Sequence, residues 1–228
     1  KSDLAGLVRS EYGVSGFKDL RNTKDEVKKI EKTLVDNGFR VKAYLGSKGN
    51  AESFVALDGK SPSIVHIATH GFYYTPDEAK DKDFLRGYTD AMSLSGLVFA
   101  GGNAAWLGKK NVAGVLGGVL TAKDIANLDF KGTDLLVLSA CKTGQGKVTA
   151  EGVFGLQRAF KKAGVGTIIM SLWNVDDKVT SEFMIAFYEQ LTDKANNWNK
   201  RKAFEQTKEI IRKKHPDPYY WAAFVMLD

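Results

Sequence analysis

At 228 residues the chain suits one large domain or two small ones and is long enough to bury a real core. Hydrophobic residues make up 43% and charged residues 26%, as in an ordinary globular protein, and a lone cysteine excludes an internal disulfide framework while fitting a reducing, cytoplasmic setting. The net charge of +6 is dispersed over Lys28-Lys29, Lys109-Lys110, Lys161-Lys162, Lys200-Arg201-Lys202 and Arg212-Lys213-Lys214, so it reads as solvated helix faces, and no run approaches the roughly 20 apolar residues of a membrane span. Neither nucleic acid nor a membrane is therefore an expected partner.

Lys1-Ser2-Asp3 has no initiator Met and no apolar signal core, which reads as a piece of a longer chain. Residues 1–22 carry little signal and are expected to be an extension or linker; residues 23–228 are the expected domain. Thr23-Lys24-Asp25-Glu26 has the form of a capping box opening a helix with Val27, Ile30 and Leu34 on one face, closed by Gly38. Phe39 to Leu45 alternates and predicts a strand. A short helix is expected from about Ala51 to Leu57, and Asp58-Gly59-Lys60-Ser61-Pro62 predicts a turn.

Ser63 to Thr69 is an apolar run that predicts a buried strand ending at His70-Gly71. Phe72 to Tyr88 is polar and reads as a flexible loop that would gate a site. Ser93–Trp106 and Val112–Leu120, glycine-rich with apolar patches, suit strands or hairpins, and Thr121-Ala122-Lys123-Asp124 begins a short helix. Leu135-Leu136-Val137-Leu138-Ser139-Ala140-Cys141 is a second buried strand, delivering the only cysteine to the turn Lys142-Thr143-Gly144-Gln145-Gly146. Val153, Leu156, Phe160 and Ala163 predict a helix over 152–163. Gly166 to Trp173 is a third buried strand, with Asn174-Val175-Asp176-Asp177 as its exit loop. Helices are expected at about 178–192 and 199–214, then a final strand over Tyr219–Leu227. This alternation predicts an α/β sheet, parallel in its core and covered on both faces. The carboxyl ends of parallel strands share one rim, so His70, Cys141 and Asp176/Asp177 are expected to emerge together, where open α/β sheets place their ligands.

A thiol with an ordinary pKa of about 8.5 is mostly protonated at neutral pH, and the thiolate is the nucleophile. An imidazole at the next strand end can take that proton and return it to a leaving amine. His70 and Cys141 suit those roles. Gly71 lets a backbone N–H approach a developing oxyanion, and the Cys141 amide would be the second donor.

Three segments carry a resemblance: His66-Ile67-Ala68-Thr69-His70-Gly71; Leu138-Ser139-Ala140-Cys141-Lys142-Thr143-Gly144; and Ser171-Leu172-Trp173-Asn174-Val175-Asp176-Asp177. With Glu151 to Phe160 and Tyr220-Trp221-Ala222-Ala223-Phe224, they resemble CHAT domains, the caspase-like cysteine peptidases often found downstream of tetratricopeptide repeats. The resemblance covers roughly residues 23–228 in motif order. It implies a caspase-like three-layer sandwich, a cysteine endopeptidase with His70 as general base and Cys141 as nucleophile, and no cofactor. A protein or peptide substrate and an upstream repeat or other regulatory region would be the partners. The Trp173-x-Val175-x-Asp177 pattern is similar to a segment of separases, which cleave after arginine. By that analogy Asp177, or Asp176 in its place, would receive a basic P1 side chain; equally, either aspartate would serve as the cap of the helix that follows.

Other chemistries fit less well. His66 lies inside an apolar strand and reads as a core histidine or one supporting the site. On a strand, His66 and His70 stand about 13 Å apart, too far to share one metal ion, and only His215 is left over. Gly144-Gln145-Gly146-Lys147 invites a phosphate loop, but Cys141 and Val148 stand where that motif needs Gly and Ser or Thr. A catalytically idle CHAT-like scaffold and a nucleotide-binding module remain the alternatives to a peptidase.

Overall fold

The computed structural model describes residues 17, 20, 22–80, 87–106, 117–139, 148–149, 152–153 and 155–228. A four-stranded sheet of order β1-β5-β8-β9 forms its centre: β1 is Ile64–Ala68, β5 Leu135–Ser139, β8 Thr167–Ser171 and β9 Phe224–Leu227. β1, β5 and β8 run parallel, and β9 closes the edge antiparallel to β8. The fold is the caspase-like α/β sandwich that the sequence predicts, with a mainly parallel sheet between helices.

The apolar runs of β5 and β8 follow from burial on both faces. Leu136, Leu138, Ile168 and Met170 face a core with Phe54, Phe130 and Phe160; Leu135, Val137 and Ile169 face the other, with Phe183, Phe187 and Phe224. The first core is covered by short helices α2 (Ala51–Val55), α5 (Ala122–Ile125) and α6 (Leu156–Lys162). The second is covered by α1 (Thr23–Asp36), α7 (Asp177–Thr192) and α8 (Lys200–Lys214). Phe183 stacks on Phe224 at 3.9 Å between ring centroids, joining α7 to the last strand.

A second, antiparallel sheet, β2-β3-β4, grows directly from the end of β1. β2 is His70–Tyr73, β3 Ser95–Val98 and β4 Val119–Thr121. Thr69, the residue between β1 and β2, donates its hydroxyl to the Val98 carbonyl, which fixes the crossing point. Gly96 is required in β3, because a Cβ there would drive into the Phe72 ring at 2.7 Å. The helical turn α3 (Pro76–Ala79) follows β2, and α4 (Gly102–Trp106) lies between β3 and β4. A two-residue ladder pairs β6 (Val148–Thr149) with β7 (Gly152–Val153), and the turn α9 (Pro218–Trp221) precedes β9.

Five local expectations are corrected. Residues 39–45 form no strand: Phe39 and Val41 pack against the second core, so their alternation records one-sided burial without a ladder partner. Phe72 and Tyr73 belong to β2 and not to a loop, and Phe72 is buried among Ala79, Leu94 and Val98. The helix expected from Gly152 begins only at Leu156. Gly155, at φ +117°, marks the break, and a Cβ there would meet the Ser95 hydroxyl at 2.9 Å. Of the final segment, only Phe224–Leu227 is strand; Asp217 caps the preceding turn through the Tyr219 N–H. Finally, α1 forms as predicted, but Asn22 holds its cap position and Glu26 does not close a capping box. The short helix expected from Thr121 does form, and the structure adds a capping box there between Thr121 and Asp124.

Candidate functional site

β1 ends at Ala68 and β5 at Ser139, and these two residues are register partners in the parallel ladder. His70 follows Ala68 by two residues and, in the sequence, Cys141 follows Ser139 by two. The strand ends are thus flush. Cys141 and the turn 142–147, including the Gly144–Lys147 stretch, lie outside the described residues.

His70 opens β2 opposite Val98 and is half-buried. Gly71 is buried opposite Leu97. The His70 ring lies against Phe17, with centroids 4.9 Å apart and planes inclined by 38°. Phe17 is in turn held by Asn103 of α4. The Phe17 N–H donates to Asn103 Oδ1 at 2.7 Å, and Asn103 Nδ2 donates to the Phe17 carbonyl at 2.9 Å.

At the far end of the rim, the exit loop of β8 is pinned from outside. Trp173 Nε1 donates to the Tyr219 carbonyl at 2.8 Å, and the Tyr219 hydroxyl donates to the Asn174 carbonyl at 2.6 Å. The two aspartates that follow differ in use. Asp176 is exposed and caps α7, accepting from the N–H groups of Lys178 and Val179 at 2.9 and 3.3 Å. Asp177, half-buried in the first turn, accepts from the backbone N–H of Asn22 at 3.1 Å and from its side-chain amide at 2.7 Å, both on Oδ2. Its partner is a neutral amide; among the described residues no Lys or Arg pairs with it.

His66 faces away from this rim into the core between β1, α1 and α7. Its Nε2 meets Glu26 Oε1 at 2.9 Å, and its Nδ1 meets the Tyr188 hydroxyl at 3.4 Å. If Nε2–H donates to the carboxylate, Nδ1 is the acceptor for the phenol, so each polar atom of the line has a role. Burial, with the Glu26 charge as second cause, holds the Tyr188 phenol far above its usual range, so it stays an O–H donor. His66 is a partnered core histidine, as the sequence predicts. His215 lies elsewhere, with Nε2 2.9 Å from Glu182 Oε2, which Lys214 also reaches at 3.0 Å. Among the described residues no cluster of His, Cys, Asp and Glu could hold a metal ion, and no helix is long and apolar enough to cross a membrane.

Sequence reasoning missed Phe17 and Asn22, which meet His70 and Asp177 directly, and Asn103, which holds Phe17. Nothing in their local pattern points to the site, because each is selected by a contact across more than 80 positions or, for Asn22, 155. Glu26 did carry a signal: it shares a helix face with Ile30 and Leu34, and a carboxylate on an apolar stripe needs a buried partner.

A mainly parallel sheet, sandwiched by helices, with a histidine-glycine pair leaving its first strand, defines a caspase-like domain. The family model for the CHAT domain matches residues 9–228, and this chain belongs to that family. Over 111 residues, 48% of its length, it is 32% identical to human tetratricopeptide repeat protein 28 and 31% identical to the mouse protein of that name. The matched region is 4% of each of those proteins, so the chain corresponds to a small part of them.

Proposed function

We propose that this chain is a cysteine endopeptidase acting through a dyad of His70 and Cys141. What carries the reading is the flush register of β1 and β5 at Ala68 and Ser139, with the two candidate groups at the same sequence offset beyond each strand. His70 removes the thiol proton, and the Cys141 sulfur attacks the scissile carbonyl carbon. The N–H groups of Gly71 and Cys141 stabilise the tetrahedral oxyanion. Collapse breaks the C–N bond as His70 protonates the leaving amine, giving a thioester. Water, deprotonated by His70, then attacks the thioester and releases the carboxylic acid and the thiol.

The substrate is an extended peptide docking along a sheet edge, with Arg or Lys at P1. Asp177 suits that role better than Asp176. The Asp176 carboxylate is spent on its own helix terminus, whereas Asp177 is half-buried and, among the described residues, meets only the neutral side-chain amide and backbone N–H of Asn22. Kinship with proteins named for tetratricopeptide repeats supports control by an upstream repeat region. A cytoplasmic, reducing setting would keep the thiol available.

The test is digestion of a positional peptide library by the purified chain, read by mass spectrometry. Cys141→Ala and His70→Ala are each expected to lower turnover by at least about 100-fold. Cleavage surviving Cys141→Ala sinks the nucleophile. Asp177→Asn is expected to lower kcat/KM for basic P1 residues by about 10- to 150-fold, the loss of a charge-assisted contact. Cut sites without basic P1 residues would remove that role from Asp177.

A further inference from the structure

Phe39 to Leu45 carries the period of a strand without a strand's hydrogen bonds. Phe39, Val41, Ala43 and Leu45 are half-buried while Arg40, Lys42 and Tyr44 are exposed, the alternation of an extended chain. Leu45 closes the run in the β region, at φ −117° and ψ 152°. Phe39 and Val41 pack on the second core, as does Ile64 at the start of the edge strand β1. The Phe39 N–H donates to the Leu34 carbonyl at 3.0 Å and the Leu45 carbonyl accepts from Lys48 at 3.2 Å, but among the described residues no backbone hydrogen bond reaches residues 40–44. Half-buried main chain is normally paired, so this is a row of donors and acceptors held in place and left open to a neighbour. The outward side chains are cationic. No acid occurs between Asp36 and Glu52, and among the described residues Arg40, Lys42 and Lys48 have no carboxylate partner. Lys42 Nζ lies 4.9 Å from the Tyr44 ring centroid on that face. The inward row ends under an indole: Trp198 meets Phe39 with centroids 4.6 Å apart, yet remains 40% exposed. Asn197 and Trp198 both hold left-handed backbone, at φ +46° and +59°, which a bulky residue rarely adopts.

We propose that residues 39–45 are a docking edge for an extended acidic segment of a partner protein, which adds to them as a strand. Main-chain hydrogen bonds give such an addition its affinity, and alternate side chains give it selectivity. Cross-strand neighbours share a face. Partner residues opposite Arg40 and Lys42 therefore meet cations, and those between them meet Phe39, Val41 and the Trp198 ring. The segment that fits alternates carboxylate and apolar side chains. A second copy of this chain answers the backbone row but not the charge. Antiparallel self-pairing centred on Val41 sets Arg40 against Lys42, and centred on Lys42 it sets that lysine against itself; like charges directly opposite are destabilising. Docking at this edge is independent of any peptidase activity of the chain.

The experiment uses the whole chain and fluorescein-labelled, end-capped peptides of about eight residues, within the length of an ordinary strand. One alternates Glu and Val and one alternates Lys and Val. Two more repeat the Glu-Val peptide with backbone N-methylation at the Glu residues only or at the Val residues only. Fluorescence anisotropy reads binding, and amide hydrogen exchange reads residues 40–44. In the chain alone those amides are expected to exchange as in an open chain, and saturating Glu-Val peptide should slow them by about 10-fold or more. The Lys-Val peptide should not bind. One N-methylated peptide should keep its affinity and the other lose it, because only every second N–H of a strand points at a given neighbour. Arg40→Glu combined with Lys42→Glu should melt as the parent does, bind the Glu-Val peptide about 10-fold more weakly and take up the Lys-Val peptide. Unchanged exchange at residues 40–44 under saturating Glu-Val peptide overturns the proposal. Equal binding by the two N-methylated peptides also overturns it, since that is charge attraction without a ladder. Protection of residues 40–44 that grows with the concentration of the chain alone would assign the edge to a second copy and overturn the acidic partner.

Discussion

Glu26→Ala is the sharpest probe of how the N-terminal helix is tied to the sheet. The carboxylate is 1% exposed and the His66 side chain 11%, with Tyr188 fully buried beside them. Removing Glu26 leaves the His66 Nε2 without its 2.9 Å partner in a site water scarcely reaches, which costs about 1–3 kcal/mol. Loss of side-chain packing against the helix face of Ile30 and Leu34 adds to this, so about 3 kcal/mol is expected. For a chain of this size that lowers Tm by about 6–12 °C. Tyr188→Phe should cost less than about 1 kcal/mol, because its 3.4 Å contact with Nδ1 is near the long limit of a hydrogen bond. His66→Phe strands the carboxylate instead and should cost about 3–5 kcal/mol, whereas Glu26→Leu combined with His66→Phe should recover most of the loss. Urea unfolding followed by circular dichroism, with an unchanged m-value, measures all four. A loss below about 1 kcal/mol for Glu26→Ala, or a double variant as unstable as the sum of the singles, would refute the account.

Three further outcomes are expected. Asp176→Ala should cost about 0.5–2 kcal/mol through loss of the α7 cap while leaving the basic P1 preference unchanged; a lost preference would move the specificity role to Asp176. The Glu182 carboxyl is opposed by burial but held below its ordinary range by hydrogen bonds from His215 and Lys214 and by their charges. With the folded pKa lowered, its stabilisation is complete above the unfolded glutamate value and fades as pH falls through the folded one. The stability gap between the parent and Glu182→Gln should therefore shrink between about pH 5 and pH 3; a gap independent of pH would contradict it. Gly155→Ala should destabilise by about 1–3 kcal/mol, since an L side chain is strained at φ +117° and its Cβ meets Ser95; a neutral melt would show that the turn relaxes freely.

The core of the central sheet was legible from residue pattern alone. Leu135–Leu138 and Ile168–Met170 are apolar at every position, and only burial on both faces satisfies such runs, which implies parallel strands with helices on each side. Helices α7 and α8 were legible to within a residue from their periodicity, and His70 and Gly71 from their place at a strand end. Tertiary structure decided the rest. Residues 39–45 have the alternation of a strand but no ladder, because alternation records which side is buried and not whether a neighbour supplies hydrogen bonds. Glu26 looked like a cap because a local motif was complete; its partner, His66, is 40 positions away and is reached only once α1 lies on β1. Asn22 on Asp177 and Phe17 on His70 are of the same kind: polar and aromatic side chains state what they can bind, and only the fold chooses which group is brought to them.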